Sequence, residues 1–436
     1  MKSPHCFVSL LLCASLLLSA FSGTALATES ASVFEFDYAF EDYWYDDEIP
    51  ASLVGDFPVR SALLMEAESG RILFQKDENK PVPIASVTKV MVTLLIMEAI
   101  DSGRVSMDEE VTVSERAASM GGSQVYLEPG EKMSVSELLK CLVVVSANDA
   151  SVALAEHIYG SEDSFILAMN ERAAQLGMKN TNYVNTTGLD ADGHYSSALD
   201  VALVTRELLK HPTILEYTTI WMDTIRNGAF GLANTNKLIR FYSGANGMKT
   251  GYTTEAKYCL SGTACRDGMT LIAVVLGGES SDERFATAKQ MLDYGFANYR
   301  IVTPEKLDIE PIRVERGISD FSELEYDSFS LLLEKGKEAK IEQRITLEPS
   351  LQAPVAKGDV AGYVEFYVDG ELQTKVPVRV TEDNGEIGFS DIFSRVLKKL
   401  LAFVLTLMLT LTAVSAFAEA PAGTDAPSKT LVVYYS

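Results

Sequence analysis

The sequence predicts an α+β fold: one antiparallel sheet interrupted by a long helical insertion, followed by a smaller β-rich domain. Three observations carry this. Strand signals lie at both ends of the region from Ser61 to Leu276 with helical periodicity between them. The stretch Ser86–Ile100 is apolar on nearly every face, as a helix in the middle of a domain would be. After Val302 the pattern changes to short alternating strands. At 436 residues, 47% of them hydrophobic and 22% charged, the chain is too long for one ordinary domain and too apolar for a disordered one.

Residues 1–27 read as a secretory signal. Lys2 gives the positive start, an apolar run follows from Phe7 to about Phe21, and Ala25-Leu26-Ala27 supplies small residues for cleavage. That run is shorter than the roughly 20 residues a bilayer requires, and serines interrupt it. Neither Cys6 nor Cys13 has the preceding small residue that lipid attachment needs. The protein is therefore expected to be exported and to act at the extracytoplasmic face of the cytoplasmic membrane or in the cell wall. Residues 28–58 form an acidic N-terminal segment without Lys or Arg, with aromatic residues interleaved. An acidic tether is the simpler reading, and a docking segment for a basic partner is the alternative.

A globular domain is expected over 59–300. Ser61–Glu66 and Arg71–Phe74 flank a Ser-Gly turn and read as a hairpin. The apolar helix Ser86–Ile100 follows, and Asp101-Ser102-Gly103 stops it. Helical spacing returns at Ser136–Val145, Asp149–Tyr159, Ser164–Leu176 and Leu199–Leu209. Strands are expected at Tyr258–Thr263 and Leu271–Leu276, and an amphipathic helix from about Asp282 to Tyr299 closes the domain. A β-rich domain is expected over 302–386, its clearest element being Tyr363–Val368, an Asp369-Gly370 turn and Leu372–Val380. There is no internal repeat.

The C-terminal region divides in two. Over 387–404, Phe389, Ile392, Phe393, Val396, Leu397, Leu400 and Phe403 recur at helical spacing, with Arg395, Lys398 and Lys399 among them, as in a helix lying in the membrane plane. Leu400–Ala418 is a nearly continuous apolar run long enough to span. Its basic residues precede it rather than follow it, against the pattern of a stop-transfer anchor. Ala416-Phe417-Ala418 resembles a cleavage site, and Lys429–Ser436 resembles the first strand of a flavodoxin-like domain. The reading is that 400–436 derives from the start of a neighbouring secreted protein.

Charge and composition exclude several functions. Lys and Arg total 37 against 61 Asp and Glu, a net charge of −24, which becomes −25 once the segment carrying only Lys2 is removed. Such a chain has no general basic field for a phosphate backbone, so no nucleic-acid partner is expected. Four histidines and five cysteines are too few for zinc-finger arrays or multi-histidine centres, and neither metal nor cofactor is expected. Cys141, Cys259 and Cys265 remain after cleavage. The last two lie six apart on one predicted strand, too far apart to bridge, and all three read as small apolar thiols.

Three short elements carry the chemistry, and their value is joint. In Ser86-Val87-Thr88-Lys89 the i, i+3 spacing puts Ser86 and Lys89 one turn apart on one face, with Ser86 at a helix start where free N–H groups favour developing negative charge. A serine hydroxyl needs an adjacent base. Lys89 supplies one if burial and a second cation lower its pKa. In Ser146-Ala147-Asn148, between two helices, the hydroxyl is suited to relay a proton to a leaving amine and the Asn148 amide to bind a substrate carbonyl. Lys249-Thr250-Gly251, followed by Tyr252 at the start of a strand, supplies the second cation, a hydroxyl for a substrate carboxylate and a glycine admitting close backbone approach. The N–H groups of Ser86 and Tyr252 would form an oxyanion hole. Taken singly, each element is an ordinary cap or turn.

In this order, separated by 60 and then 103 residues, the elements resemble the penicillin-recognising serine enzymes. The stretches PIASVTKVMVTLL (83–95), SANDASVALAEHIYGSEDSFILAMNERAAQLGMKNT (146–181), GLDADGHYSSALD (188–200) and GMKTGYT (247–253) narrow the resemblance to the serine-type D-alanyl-D-alanine carboxypeptidases, the low-molecular-weight penicillin-binding proteins. It runs from about Ser61 to Arg300 and more weakly through LQAPVAKGDVAGYVEF (351–366). The resemblance implies a β-lactamase/transpeptidase-like domain whose substrates are peptidoglycan stem peptides, with β-lactam antibiotics as inhibitors and a C-terminal helix at the membrane surface. It implies acylation of Ser86 by the carbonyl of the penultimate D-Ala, Lys89 as base, loss of the terminal D-Ala and hydrolysis by water. Lys249, Thr250 and Arg284, which matches a family arginine near the start of the last helix, would grip the terminal carboxylate, although Arg284 also reads as a surface helix charge. Some members carry His where this chain has Tyr252, which leaves deacylation open. Gly188–Tyr195 is expected beside the site with no role for Asp190, Asp192 or His194, and His194 reads as a turn residue.

Two rivals follow. A β-lactamase shares the motifs but hydrolyses its acyl-enzyme through a dedicated glutamate, and there is no convincing E-x-x-x-N segment between Asn148 and Lys249. A non-catalytic cell-wall-binding module would have lost some of Ser86, Lys89, Ser146 and Lys249, and all are present.

Overall fold

The computed structural model describes residues 57–418, with side chains described through 409; the signal-like segment, nearly all of the acidic stretch and the tail 419–436 lie outside the described residues. Strands β1 (Ser61–Glu66) and β2 (Ile72–Lys76) form the expected hairpin, with Leu64 opposite Phe74. Its turn is held by the Glu66 carboxylate, which accepts from the backbone N–H groups of Glu68 and Ser69 at 2.9 and 2.7 Å. With β3 (Ala245–Thr253), β4 (Lys257–Arg266) and β5 (Met269–Gly278) they build one antiparallel sheet in the order β2-β1-β5-β4-β3.

The sheet is covered on both faces, which is why its central strands read as apolar runs rather than alternations. Leu63, Met65, Ile272, Val274 and Leu276 face the helical insertion. Ala62, Leu64, Leu271, Ala273 and Val275 face Phe285, Ala288, Met291 and Leu292. The latter four belong to the closing helix Ser281–Asn298, whose start is fixed by a capping box between Ser280 and Glu283.

The insertion contains helices α1 (Lys89–Asp101), α2 (Val135–Val144), α3 (Asn148–Tyr159), α4 (Glu162–Gln175) and α5 (Ala198–Leu208), and the closing helix is α6. Each lies within about two residues of the expected span, and the caps explain the offsets. Ser134, Ser161 and Ser197 accept from the N–H groups of Glu137, Ser164 and Asp200, so α2, α4 and α5 begin directly after their capping serines, at Val135, Glu162 and Ala198, rather than at the expected Ser136, Ser164 and Leu199. Helix α1 is the exception that matters. It begins at Lys89, and Ala85–Thr88 forms a separate 3-10 turn. From Val90 to Met97 every residue of α1 is buried, so the helix is a central post.

Strand β3 departs from the expectation that the Lys-Thr-Gly tripeptide starts a strand. Pairing begins four residues earlier, at Ala245 opposite Ala264, and Lys249 is in mid-strand opposite Ser261. The leading residues are small or flexible and carry no alternation, so they gave no periodic signal. Short antiparallel strand pairs, Glu110–Thr112 with Lys132–Ser134 and Met222–Ile225 with Phe230–Ala233, escaped for a related reason: the strands are three or four residues long.

Beyond α6 the chain is β-rich. Strands β6 (Val360–Val368) and β7 (Glu371–Val380) pair across Asp369 and Gly370, both at positive φ (52° and 91°), the conformation a two-residue hairpin turn needs. Tyr326, Leu331, Leu333, Val364, Phe366, Val376 and Val378 form this part's own core. Helix α7 (Phe389–Ala418) then runs as one element through the expected amphipathic segment and beyond its expected end at 404. Its apolar side chains are open to solvent: Phe389 is 84% exposed and Phe403 66%. Arg395 ties it to Asp320 at 2.9 Å. Among the described residues no helix is long and apolar enough to cross a membrane. The apolar run starting at Leu400 extends past the described side chains.

Candidate active site

The three elements singled out in the sequence converge where the 3-10 turn meets α3 and β3. The Ser86 hydroxyl is 3.1 Å from the Lys89 amine, as a one-turn spacing requires. Lys89 is fully buried. Its Nζ also lies 2.6 Å from Asn148 Oδ1 and 2.7 Å from the Thr187 carbonyl oxygen. A neutral amine has two N–H donors and one lone pair. Two donors suit the Asn148 and Thr187 oxygens, and the lone pair can take the Ser86 hydroxyl proton once that hydroxyl turns from the Thr187 oxygen, to which it donates at 3.2 Å in this structure.

The electrostatics favour that neutral form. The Lys89 pKa is lowered well below the ordinary lysine value, first by burial and next by the charge of Lys249, with Asp149 opposing in part. Lys249 is itself buried and pushed down to about 7 by desolvation and by Arg284. Both lysines line one small cavity of about 10 Å3 between α1 and β3, beside Thr93, Thr218 and Met248. The sequence reading needed a second cation beside Lys89, and the fold brings it there.

Arg284 is buried, which removes its reading as a surface helix charge. Its Nη1 donates to the carbonyl oxygens of Gly251 and Cys259, both at 3.1 Å, so it clasps β3 to β4 behind the site. It lies over the rings of Tyr258 and Phe285, at 5.5 and 4.5 Å from their centroids.

Ser146 joins α2 to α3 in a left-handed conformation (φ 64°), and its buried hydroxyl has no hydrogen-bond partner among the described residues. Asn148 is engaged at both ends of its amide, Oδ1 with Lys89 and Nδ2 with the Gly121 carbonyl at 2.6 Å, which leaves one amide N–H for a substrate oxygen. The Thr250 hydroxyl is 2.7 Å from that of Thr235. Gly251 faces the Ser86 turn: a Cβ there would sit 2.8 Å from the Ile84 oxygen and 2.9 Å from the Ser86 nitrogen. In the fold this glycine makes room for the nucleophile's own turn. Tyr252 is 55% exposed and packs its ring on Tyr258, centroids 4.5 Å apart.

Several participants escaped sequence reasoning. Thr187 contributes a backbone oxygen, invisible in residue type, that also accepts from Ser86 Oγ at 3.2 Å. Gly188 (φ 79°) presses against the Ser86 turn, where a Cβ would lie 1.9 Å from the Ala85 oxygen. His194, expected as a turn residue, is buried with its Nε2 2.7 Å from Thr88 Oγ1, and desolvation pushes its pKa down to about 4. Asp149 accepts from the N–H groups of Val125 and Leu127, fixing the loop beside Asn148. Asp190, left without a role, accepts from Thr253 Oγ1 at 2.6 Å. Spacing offered one signal, the Thr88 hydroxyl inside the first motif.

The cysteines behave as small apolar groups. Cys141 and Cys259 are buried, with burial pushing their thiols up to about 12 and 11, and Cys265 is half-buried; none is bridged. Among the described residues no group of His, Cys, Asp and Glu is arranged to hold a metal.

Residues 50–280 match the D-alanyl-D-alanine carboxypeptidase family, and residues 322–386 match the penicillin-binding protein 5 C-terminal domain. The D-alanyl-D-alanine carboxypeptidase DacF of Bacillus subtilis (strain 168) is 43% identical over 343 residues, 77% of this chain and 88% of that protein. Penicillin-binding protein 5 from Haemophilus influenzae superposes with a TM-score of 0.64 at 32% identity, over 76% of this chain and 99% of that one. Penicillin-binding protein D2 from Listeria monocytogenes, solved in an ampicillin-bound form, gives 0.51 at 33% identity over 55% of this chain and 98% of that one.

Gly188→Ala is expected to slow penicillin labelling at least tenfold and to lower stability by about 1–3 kcal/mol, because the added methyl meets the Ala85 backbone in a left-handed conformation. Fluorescent-penicillin labelling and urea unfolding check this; a variant that labels at the normal rate would show the turn to be loosely held.

Proposed function

The chain belongs to the D-alanyl-D-alanine carboxypeptidase family, and from that premise we propose that Ser86 is the residue through which it acts as a serine hydrolase. The enzyme removes the terminal D-Ala from peptidoglycan stem peptides and is blocked covalently by penicillins. The observation that carries the proposal is the buried Lys89 amine in hydrogen-bond contact with the Ser86 hydroxyl, with a second lysine lowering its pKa.

The reaction runs in two halves. Lys89, neutral at the working pH, takes the Ser86 proton as Oγ forms its bond to the carbonyl carbon of the penultimate D-Ala. The oxygen of that carbonyl becomes an anion facing the N–H groups of Ser86 and Tyr252. Its collapse breaks the peptide C–N bond, and the proton held by Lys89 passes through the Ser146 hydroxyl to the departing amine. The buried Ser146 hydroxyl has no hydrogen-bond partner among the described residues, Lys89 included, so the relay requires it to bond both Lys89 and the substrate amine in the substrate complex. Water then hydrolyses the ester on Ser86 and restores the enzyme. Lys249 and Thr250 bind the terminal carboxylate, and the remaining Asn148 N–H binds a carbonyl of the stem. Arg284 acts from behind β3, adding positive potential while its donors hold the Gly251 and Cys259 carbonyls.

The setting is proposed to match. Residues 1–27 direct export, 59–300 form the catalytic domain and 302–386 the β-rich stalk, a division supported by the two family matches. The exposed apolar side chains of α7, among them Phe389, Phe393 and Phe403, support contact with the outer surface of the cytoplasmic membrane, where Lys398 and Lys399 would meet anionic headgroups.

The purified protein is expected to release D-alanine from a pentapeptide stem, and Ser86→Ala to release none and take up no fluorescent penicillin while melting within a few degrees of the parent. A covalent adduct on Ser86→Ala would overturn the choice of nucleophile. The pH profile of kcat/KM is expected to be bell-shaped, with both limbs far below the ordinary lysine range. Activity rises as Lys89 loses its proton and falls as Lys249 loses the positive charge that attracts the carboxylate, near pH 7 in the free enzyme. Activity still climbing through pH 10 would contradict it.

A further inference from the structure

We infer that His194 and Thr88 form a relay of two hydrogen bonds that fixes the peptide group between Ala85 and Ser86 and thereby aims the Ser86 N–H at the reacting carbonyl oxygen. This rests on the reading of Ser86 given above and names two positioning residues for it, neither of which touches the reacting atoms.

The argument begins with covalent geometry. The Ala85 carbonyl and the Ser86 N–H belong to one planar unit, so a force that turns the carbonyl turns the N–H with it. Ala85 is held at φ 49°, a conformation that a residue with a Cβ resists, so the turn needs outside support. Thr88 Oγ1 supplies it, donating its only proton to the Ala85 oxygen at 2.8 Å. With that proton committed, the 2.7 Å contact with His194 Nε2 must be donated by the imidazole. The other ring nitrogen, Nδ1, accepts from the Val184 N–H at 3.1 Å. These bonds leave one assignment, a neutral ring with its proton on Nε2, which agrees with the lowering of the His194 pKa by burial.

The packing points the same way. Gly188 and Gly251 close on this one peptide group: a Cβ on the first would lie 2.8 Å from the Ser86 nitrogen, and on the second 2.9 Å. The loop from Val184 to His194 thus meets the Ser86 turn through the Thr187 oxygen, the Gly188 backbone and the His194 ring. The first two restrain the turn from the outside, and His194 reaches the hydroxyl that grips its carbonyl from within.

The test uses the whole protein and the rate constant for acylation by benzylpenicillin, counted per folded molecule by active-site titration, alongside KM and kcat for the peptide. Thr88→Val removes the hydroxyl and keeps the shape, and His194→Leu removes both ring nitrogens. His194→Gln keeps one N–H donor and one oxygen acceptor. Thr88→Val and His194→Leu are expected to slow acylation about tenfold or more, below the loss seen when an oxyanion donor is deleted outright, with kcat falling and KM nearly unchanged. The double variant should be no more than about twofold slower than Thr88→Val, because both changes cut one relay, and His194→Gln should recover to within about threefold of the parent. Normal acylation in Thr88→Val, full multiplication of the two losses, or a His194→Gln as slow as His194→Leu would each overturn the relay. Should His194→Leu not fold, Thr88→Val and His194→Gln carry the same comparison. Ser86→Ala separates the two levels: if it still acylates, the nucleophile is wrong, whereas an inert Ser86→Ala beside a fast Thr88→Val overturns the relay alone.

Discussion

An amine buried completely from water is the constraint on which the site depends. Lys89 has no solvent to carry its charge and a second buried lysine repels that charge, so the fold holds it in the form that has a free lone pair. Its three polar neighbours accommodate that form: two oxygens that only accept, and a hydroxyl that can either accept or donate. Elsewhere such a residue would be a defect. Here the cost of burying the charge favours the unprotonated amine, whose lone pair is available to Ser86.

The scaffold can be understood as the means of keeping that arrangement in place. Helix α1 is buried along its length and carries Lys89 at its first position. The sheet on which it rests is covered on both faces, so β3 is backed by a rigid layer and holds Lys249 in mid-strand rather than at a frayed end. Arg284 ties β3 to β4 through two carbonyls, and Asn148 joins the start of α3 to the Lys89 amine. Left-handed backbone at Ala85 and Ser146, both beside reacting groups, shows where conformational strain is stored.

Much of this was legible in the sequence, for physical reasons. The apolar post was visible because few sequences lack a polar face over fifteen residues, and the Asp369-Gly370 hairpin because positive φ selects those residues. The Ser86–Lys89 contact followed from helical spacing, even though the first turn proved to be 3-10. The rest depended on information that residue types do not carry. The Thr187 contact is a backbone oxygen brought in from about a hundred residues away. The roles of Gly188 and Gly251 lie in what would collide with a side chain, which only the folded chain reveals. His194 lies in a stretch rich in turn formers, and nothing local distinguishes a buried ring there from an exposed one. Arg284 was recognised by position, but its commitment to two carbonyls required the strands to be in place.

The most direct measurement is a nitrogen-15 NMR titration of the lysine side chains, with the Lys89 Nζ signal assigned by its disappearance in Lys89→Met. The buried-base explanation predicts an amine that loses its proton well below the ordinary lysine range. An Nζ that remains an ammonium up to pH 10 would mean that Lys89 cannot accept the Ser86 proton, and a different group would have to be found for that step.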